Sequence, residues 1–213
     1  MSAARGSGTS AASVRPAAGT LPRRSADVLL ARLVSHEKES LAGALDDLVA
    51  VGSLPRAAAL VVAARRRFVT GSGASLAVAQ LMARDLAVGL AHVTVVDDVT
   101  VPALDVLAEV VPSDVLVAYA LRGDGRRTAA LARTFAGCGG RVVAVTDDAR
   151  SSLARIADEA VVVRTRRSGQ NGSPTAVVAA SHLLTALAVT SAKGARRRTI
   201  ARDRLGRELG THP

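Results

Sequence analysis

Aromatic residues are almost missing from this 213-residue chain, which has Phe68, Phe135 and Tyr119 and no Trp, 1% in all. Its core must therefore be aliphatic, and Ala, Val and Leu supply it, because hydrophobic residues still make up 49%. That share excludes a wholly disordered chain. The scarcity of rings excludes a nucleic-acid surface that works by stacking bases. Cys138 is the single cysteine, which excludes an internal disulfide framework and a Cys-rich zinc site and suits a reducing, cytoplasmic compartment. Lysine is confined to Lys38 and Lys193 against 26 Arg, a skew toward GC-rich codons.

Long apolar runs are absent as well. The N-terminus lacks the apolar run of about 7–15 residues that marks a signal peptide, and the Ala-rich stretch from Ala3 to Ala18 is broken by Gly, Ser, Arg and Pro. No run reaches the roughly 18 residues of a membrane span, so a soluble, intracellular protein with no membrane partner is expected. Acidic residues are outnumbered chiefly at the ends. Of the net charge of +10, nine units fall in residues 1–26 and 191–213, and residues 27–190 are nearly neutral.

What is present divides into three. Residues 1–26 are Ser, Ala, Gly, Arg and Pro without apolar periodicity and read as a disordered basic arm. A body over 27–191 opens with a helical pattern from Ala26, through Val28, Leu29, Leu33, Leu41, Leu45 and Leu48, to about Gly52. A short helix follows from Pro55, a favoured first-turn residue, to Ala64. Residues 192–213 form a basic tail.

From Arg66 the texture changes to short β-branched runs alternating with Ala/Leu-rich stretches. Strands are expected at Arg67 to Thr70, Val93 to Val96, Val115 to Tyr119, Val142 to Thr146 and Ala160 to Val163. Helices are expected at about 75–89, 102–109, 127–137, 151–157 and 175–191. Strands with little polar alternation, each followed by a helix, predict a five-stranded parallel sheet in a three-layer α/β/α sandwich.

The first strand runs through Thr70-Gly71-Ser72-Gly73-Ala74-Ser75 straight into a helix. Two glycines permit a tight turn, and the free N–H groups and positive dipole end of the helix make an anion site suited to phosphate. A dinucleotide fold is the rival, with Gly71 and Gly73 as fingerprint glycines and Asp97 closing the second strand. It fails at Leu76, where close helix–strand packing needs a very small residue. No Gly-Lys-Ser/Thr follows, which excludes a Walker A loop.

Phe68-Val-Thr-Gly71-Ser-Gly73-Ala-Ser75, with Ala79-Gln80 and Gly89 in the following helix, resembles the opening of a SIS (sugar isomerase) domain. The later pieces agree in order: Asp114 to Ala118 is similar to its third strand, Gly140 to Asp147 to its fourth, and Ser151 to Asp158 to the short helix before its fifth. The resemblance covers about residues 27–190 and is strongest to the sugar-sensing half of MurR/RpiR-type transcriptional regulators. It implies a flavodoxin-like sheet, a homodimer or tetramer, a phosphorylated sugar among the strand-end loops and no cofactor. The phosphate would rest on Ser75, on the backbone at Gly73 and Ala74, on Arg122, Gly123, Asp124 and Gly125, and near Thr128.

This chain departs from the family after the third strand. Where such domains show Ser-x-Ser-Gly-x-Thr, the run here is Ala120-Leu121-Arg122-Gly123-Asp124-Gly125, and three hydroxyls are lost. Arg122 offers phosphate a charged fork instead; alternatively it pairs with Asp124 and fills the pocket, leaving a worn site kept for fold and assembly.

A sugar isomerase would need a general base near the sugar carbons. His182 lies among apolar residues of the last long helix and reads as a packed or interface residue. His36 and Glu39 share a face of the first helix and read as a solvated face or dimer edge. His92, Glu109 and Glu159 flank strands or helices with no partner visible in the sequence. Cys138 sits in a turn without a basic neighbour to activate it. No metal-ligand spacing appears.

The expected function is therefore a phosphosugar-binding sensor or regulatory module. The alternatives are a phosphosugar aldose–ketose isomerase and a MurR/RpiR-type regulator touching DNA non-specifically through Lys193, Arg196, Arg197, Arg198, Arg202, Arg204 and Arg207. Against the last, the arm is too short for a three-helix DNA reader. The tail itself reads as a solvated helix with Ile200, Leu205 and Leu209 resting on the body.

Overall fold

The computed structural model describes residues 23–121, 125–164 and 173–210. The chain divides into two units, Met1–Ser35 and His36–Pro213. Helix α1 (Arg23–Val51) starts upstream of Ala26, so Arg23 to Ala26 are helical rather than part of an irregular arm. Within the first unit Val28, Leu29, Leu30, Leu33 and Val34 are exposed.

The second unit carries α2 (Ser53–Ala63), β1 (Arg66–Gly71), α3 (Ala74–Gly89), β2 (Val93–Val96), α4 (Ala103–Leu107), β3 (Asp114–Ala120), α5 (Arg126–Gly137), β4 (Arg141–Thr146), α6 (Ser152–Ile156), β5 (Glu159–Val162), α7 (Thr175–Ser191) and α8 (Ala195–Glu208). The five strands form one sheet in the order β2-β1-β3-β4-β5, with every pairing parallel. This is the flavodoxin-like order, in which the direction of strand addition across the sheet reverses between β1 and β3.

Strand alternation builds two cores. Val95, Val69, Val117 and Val143 stand in register across four strands and face one side. There α2, α3 and α7 cover them with Val61, Met82, Leu86 and Leu184, joined by Ala44 and Leu48 of α1. Phe68, Leu116 and Val142 face the other side, under Val106 of α4, Phe135 of α5 and Leu153 of α6. The fold is a three-layer α/β/α sandwich. Two of the rare rings, Phe68 and Phe135, meet edge to face at 5.9 Å. The third, Tyr119, is fully buried, and its hydroxyl donates to Ser181 Oγ at 2.8 Å while Ser181 Oγ donates to the Val177 carbonyl at 2.7 Å. Burial pushes the Tyr119 phenol well above its ordinary value.

The basic tail is a helix, but its apolar residues do not rest on the body: Ile200, Leu205 and Leu209 are 59%, 47% and 78% exposed. Ala195 and Gly206, about three helical turns apart, are the buried positions of α8, which packs against α3. Among the described residues no single helix is long and apolar enough to cross a membrane.

Candidate functional site

A cleft of about 560 Å³ opens at the carboxyl ends of β1 and β2, beside the point where strand order reverses. Ligands of open parallel sheets bind at such points. One wall is the β1–α3 turn, Thr70 to Gly73; the others are Asp97 and Asp98 after β2, the start of α4, and Arg127, Thr128, Leu131 and Thr134 of α5.

The turn is held in place by sterics. Gly71 has no room for a side chain, since a Cβ there would lie 2.8 Å from the backbone carbon and oxygen of Ser75. Gly73 takes φ 54 and ψ −129, a conformation suited to glycine. Thr70 spends its hydroxyl on the Val96 carbonyl at 2.8 Å, tying β1 to β2. Ser72 Oγ lies 3.2 Å from Thr128 Oγ1, which joins the turn to the first turn of α5. Neither α3 nor α5 has a side-chain cap, and both begin at glycine N-caps, Gly73 and Gly125. Two positive helix ends therefore meet at one linked pair of hydroxyls.

The acids in the cleft are committed. Asp97 Oδ1 accepts the N–H groups of Val99, Thr100 and Val101 at 2.8–3.0 Å. The bonds from Val101, Thr100 and Val99 hold its carboxyl at about 2. Oδ1 is thus taken up by the loop's own N–H groups. Asp98, at φ 60, accepts from Ala103 N at 3.0 Å and pairs with Arg127 Nη2 at 2.6 Å.

Of the residues named from the sequence, Gly73 and Thr128 line the cleft together, and Gly125 caps α5 beside them. Ala74 is exposed at the first position of α3. Ser75 is 5% exposed and does not line the cleft; its N–H donates to the Ser72 carbonyl at 3.1 Å, and its side chain lies in step with Val78, Met82 and Leu86 on the core stripe. Arg122, Gly123 and Asp124 lie outside the described residues. Ser72, Asp97, Asp98 and Arg127 had not been singled out as ligands from the sequence. The rule that ligands sit beyond the carboxyl ends of strands points to each of them, because each follows a strand directly or opens the next helix.

The candidate bases lie elsewhere. His182 is exposed on α7, not packed. His36 Nε2 on α1 is buried and finds no hydrogen-bond partner among the described residues. Glu109 and Glu159 have structural partners, Arg66 at 3.3 Å and Arg56 at 2.7 Å. Among the described residues no group of three or more His, Cys, Asp or Glu is placed to hold a metal ion.

Comparison with known proteins bears on this arrangement. The SIS domain family matches residues 60–191. The sugar isomerase domain of an RpiR transcription factor from Sphaerobacter thermophilus is similar over 84% of this chain and 98% of its own, at 26% identity and a TM-score of 0.73. The NanR protein of Vibrio vulnificus, complexed with ManNAc-6P, is similar over 86% of this chain and 73% of its own, at 19% identity and a TM-score of 0.70. A Methanococcus jannaschii protein with an inferred function of 3-hexulose-6-phosphate isomerase is similar over 78% of this chain and 96% of its own, at 14% identity and a TM-score of 0.61. Among curated proteins the sequence finds no match.

Proposed function

The chain belongs to the SIS domain family, and from that premise we propose that it binds a phosphorylated sugar and acts as a sensor or regulatory module. The phosphate sits between the first turns of α3 and α5. It is held by Ser72 and Thr128, by the backbone at Gly73 and Ala74, and by the loop from Arg122 to Gly125, in which Arg122 supplies the positive charge. One observation carries this reading: two uncapped helix N-termini converge on the hydroxyl pair of Ser72 and Thr128 at the strand-order reversal. Backbone N–H groups and a positive dipole end are what a phosphate needs. The ManNAc-6P held by NanR supports the same ligand class.

The commitments of the acids favour binding over isomerisation. An aldose–ketose isomerase needs a base of suitable pKa at the sugar carbons, and the loop N–H groups hold Asp97 at about 2. Asp97 and Asp98 instead serve their own loop and Arg127. The module is also read as a symmetric homodimer. Leu81 and Val88 on α3 and Leu183 and Leu187 on α7 are each 38–42% exposed at helical spacing on two neighbouring helices, an apolar surface suited to a second copy.

A thermal-shift screen against hexose, pentose, heptose and amino-sugar phosphates tests this reading. A true ligand at a hundred times its Kd adds about 2.7 kcal/mol, or roughly 5–10 °C in Tm for a domain of this size. If no phosphosugar moves the transition, the reading fails. Steady conversion of an aldose phosphate to a ketose phosphate would replace it with the isomerase.

A further inference from the structure

A second cavity, of about 760 Å³, lies at the opposite, amino ends of β1 and β2, against the turn from α7 into α8. Its charged lining is of one sign. Arg65, Arg67, Lys193, Arg197 and Arg198 contribute to it, His92 adds an imidazole, and no carboxylate lines it. None of Arg67, Lys193, Arg197 and Arg198 enters an ion pair among the described residues. Arg65 is close enough to Asp114 to lower its pKa, but Asp114 is already bound to Arg66 at 2.7 Å.

Arg67 is the most telling of these. It is 6% exposed, and a guanidinium so buried ordinarily has an acid beside it. Here Nε donates to the Val61 carbonyl at 2.7 Å, and Nη1 and Nη2 donate to those of Ala91 and Val62 at 3.0 Å. The carbonyls satisfy its donors and fix its plane, but they leave its charge without a counterion.

An independent feature points the same way. Helix α8 opens on this cavity with Gly194 as N-cap, no side-chain cap and no acid in its first turn. That turn carries Arg196, Arg197 and Arg198 instead. A positive helix end disfavours cations, so the arrangement opposes its own dipole. Codon bias accounts for Arg over Lys but not for this placement. Arg198 is held at the wall by its bond to the Ala87 carbonyl at 3.4 Å.

We propose that this cavity binds a ligand bearing an oligophosphate chain, a di- or triphosphate, at a site separate from the sugar cleft. A monophosphate carries too little charge to offset five Arg and Lys side chains. A duplex backbone lying across the surface does not reach Arg67 at the inner wall. No Phe, Tyr or Trp lines the cavity, so the phosphate chain is what its cations read.

Inorganic tripolyphosphate titrated calorimetrically into the full chain tests the proposal, with ATP in parallel and orthophosphate and sulfate as controls at equal ionic strength. The expected result is one site per chain for both oligophosphates, at least tenfold tighter than for orthophosphate. The pair Lys193→Glu and Arg197→Glu, both at exposed positions, should weaken it at least tenfold with the fold intact by circular dichroism. Arg67→Met should abolish it, and if that variant does not fold the surface pair still decides. Equal affinity for tripolyphosphate and orthophosphate overturns the proposal, as does tripolyphosphate binding that survives the paired substitution. A short DNA duplex that displaces tripolyphosphate at lower concentration also overturns it, in favour of a nucleic-acid surface.

Discussion

Replacing Ser72 by Asp puts the proposed phosphate site to its sharpest test, because the expected effects on binding and on stability have opposite signs. Ser72 is half-buried in the β1–α3 turn, with its Oγ 3.2 Å from Thr128 Oγ1. A phosphate seated between the two helix ends comes within about 4 Å of a carboxylate at this position. At that distance two like unit charges repel by about 4 kcal/mol at an effective dielectric of 20 and by about 1 kcal/mol in bulk water. For a dianionic phosphate in an open cleft about 3 kcal/mol is a cautious middle value, which is at least a hundredfold loss of affinity. Ser72→Ala removes only a hydrogen bond to a charged group, about 1.5–3 kcal/mol, or roughly ten- to a hundredfold. Stability moves the other way. An added carboxylate just before an uncapped helix contributes about 0.3–1 kcal/mol through the dipole, so Tm should hold or rise slightly. Calorimetric titration with the sugar phosphate identified by the screen, at low and high salt, measures both variants, and the deficit of the Asp form should shrink with salt. Unchanged affinity in both variants would refute the placement of the phosphate. A collapse of Tm in the Asp form would refute the description of Ser72 as a cleft residue.

Four further outcomes follow from the geometry. Gly71→Ala drives a Cβ to 2.8 Å from the Ser75 backbone and should cost about 1–3 kcal/mol as overpacking, read as a lower urea midpoint, together with the loss of phosphosugar binding. Tyr119→Phe deletes the hydroxyl bonded to Ser181 while Ser181 keeps the Val177 carbonyl, so a loss of about 1 kcal/mol and about 2–4 °C in Tm is expected. Asp97 is held at about 2 against an ordinary 3.8; its contribution is complete above pH 4 and is lost as pH falls toward 2, and Asp97→Asn should flatten that part of a stability–pH curve. Leu183→Glu with Leu187→Glu should convert the proposed homodimer to monomer in sedimentation at micromolar concentration, and a wild-type chain that is already monomeric there would dispose of the dimer.

The sheet was legible because its signal is local. Each expected strand stands within a residue or two of the observed one, as β-branched runs buried on both faces have few other options in a chain of this size. The glycine turn was legible through Gly71, which has no room for a Cβ, and Gly73, whose positive φ suits glycine. The choice of hydroxyl was not drawn from the turn, although helical phase contains it. Ser75 is in step with Val78, Met82 and Leu86, so the helix that starts at Ala74 turns its side chain inward, whereas Ser72 precedes the helix and stays in the cleft. Partners such as Arg56 for Glu159 were beyond reach, since 103 residues separate them and only the docking of α2 beside β5 brings them together.

The three consecutive arginines at the head of β1 show how far a local pattern reaches and where it stops. Period-2 alternation places Arg66 on one face of the strand and Arg65 and Arg67 on the other. The structure keeps that parity: Arg66 turns to Asp114 and Glu109, while Arg65 and Arg67 line the basic cavity. What alternation does not give is the counter-charge. Asp114 reaches Arg66 because parallel pairing of β1 with β3 sets the two residues opposite each other. No acid occupies the equivalent place for Arg67, whose neighbours in register are Val93 and Val115. A solvated run of cations and a buried, uncompensated one look alike in the sequence. They part only when sheet register decides which arginine meets a carboxylate and which meets carbonyls, and that difference makes the amino end of this sheet a second place to look for an anion.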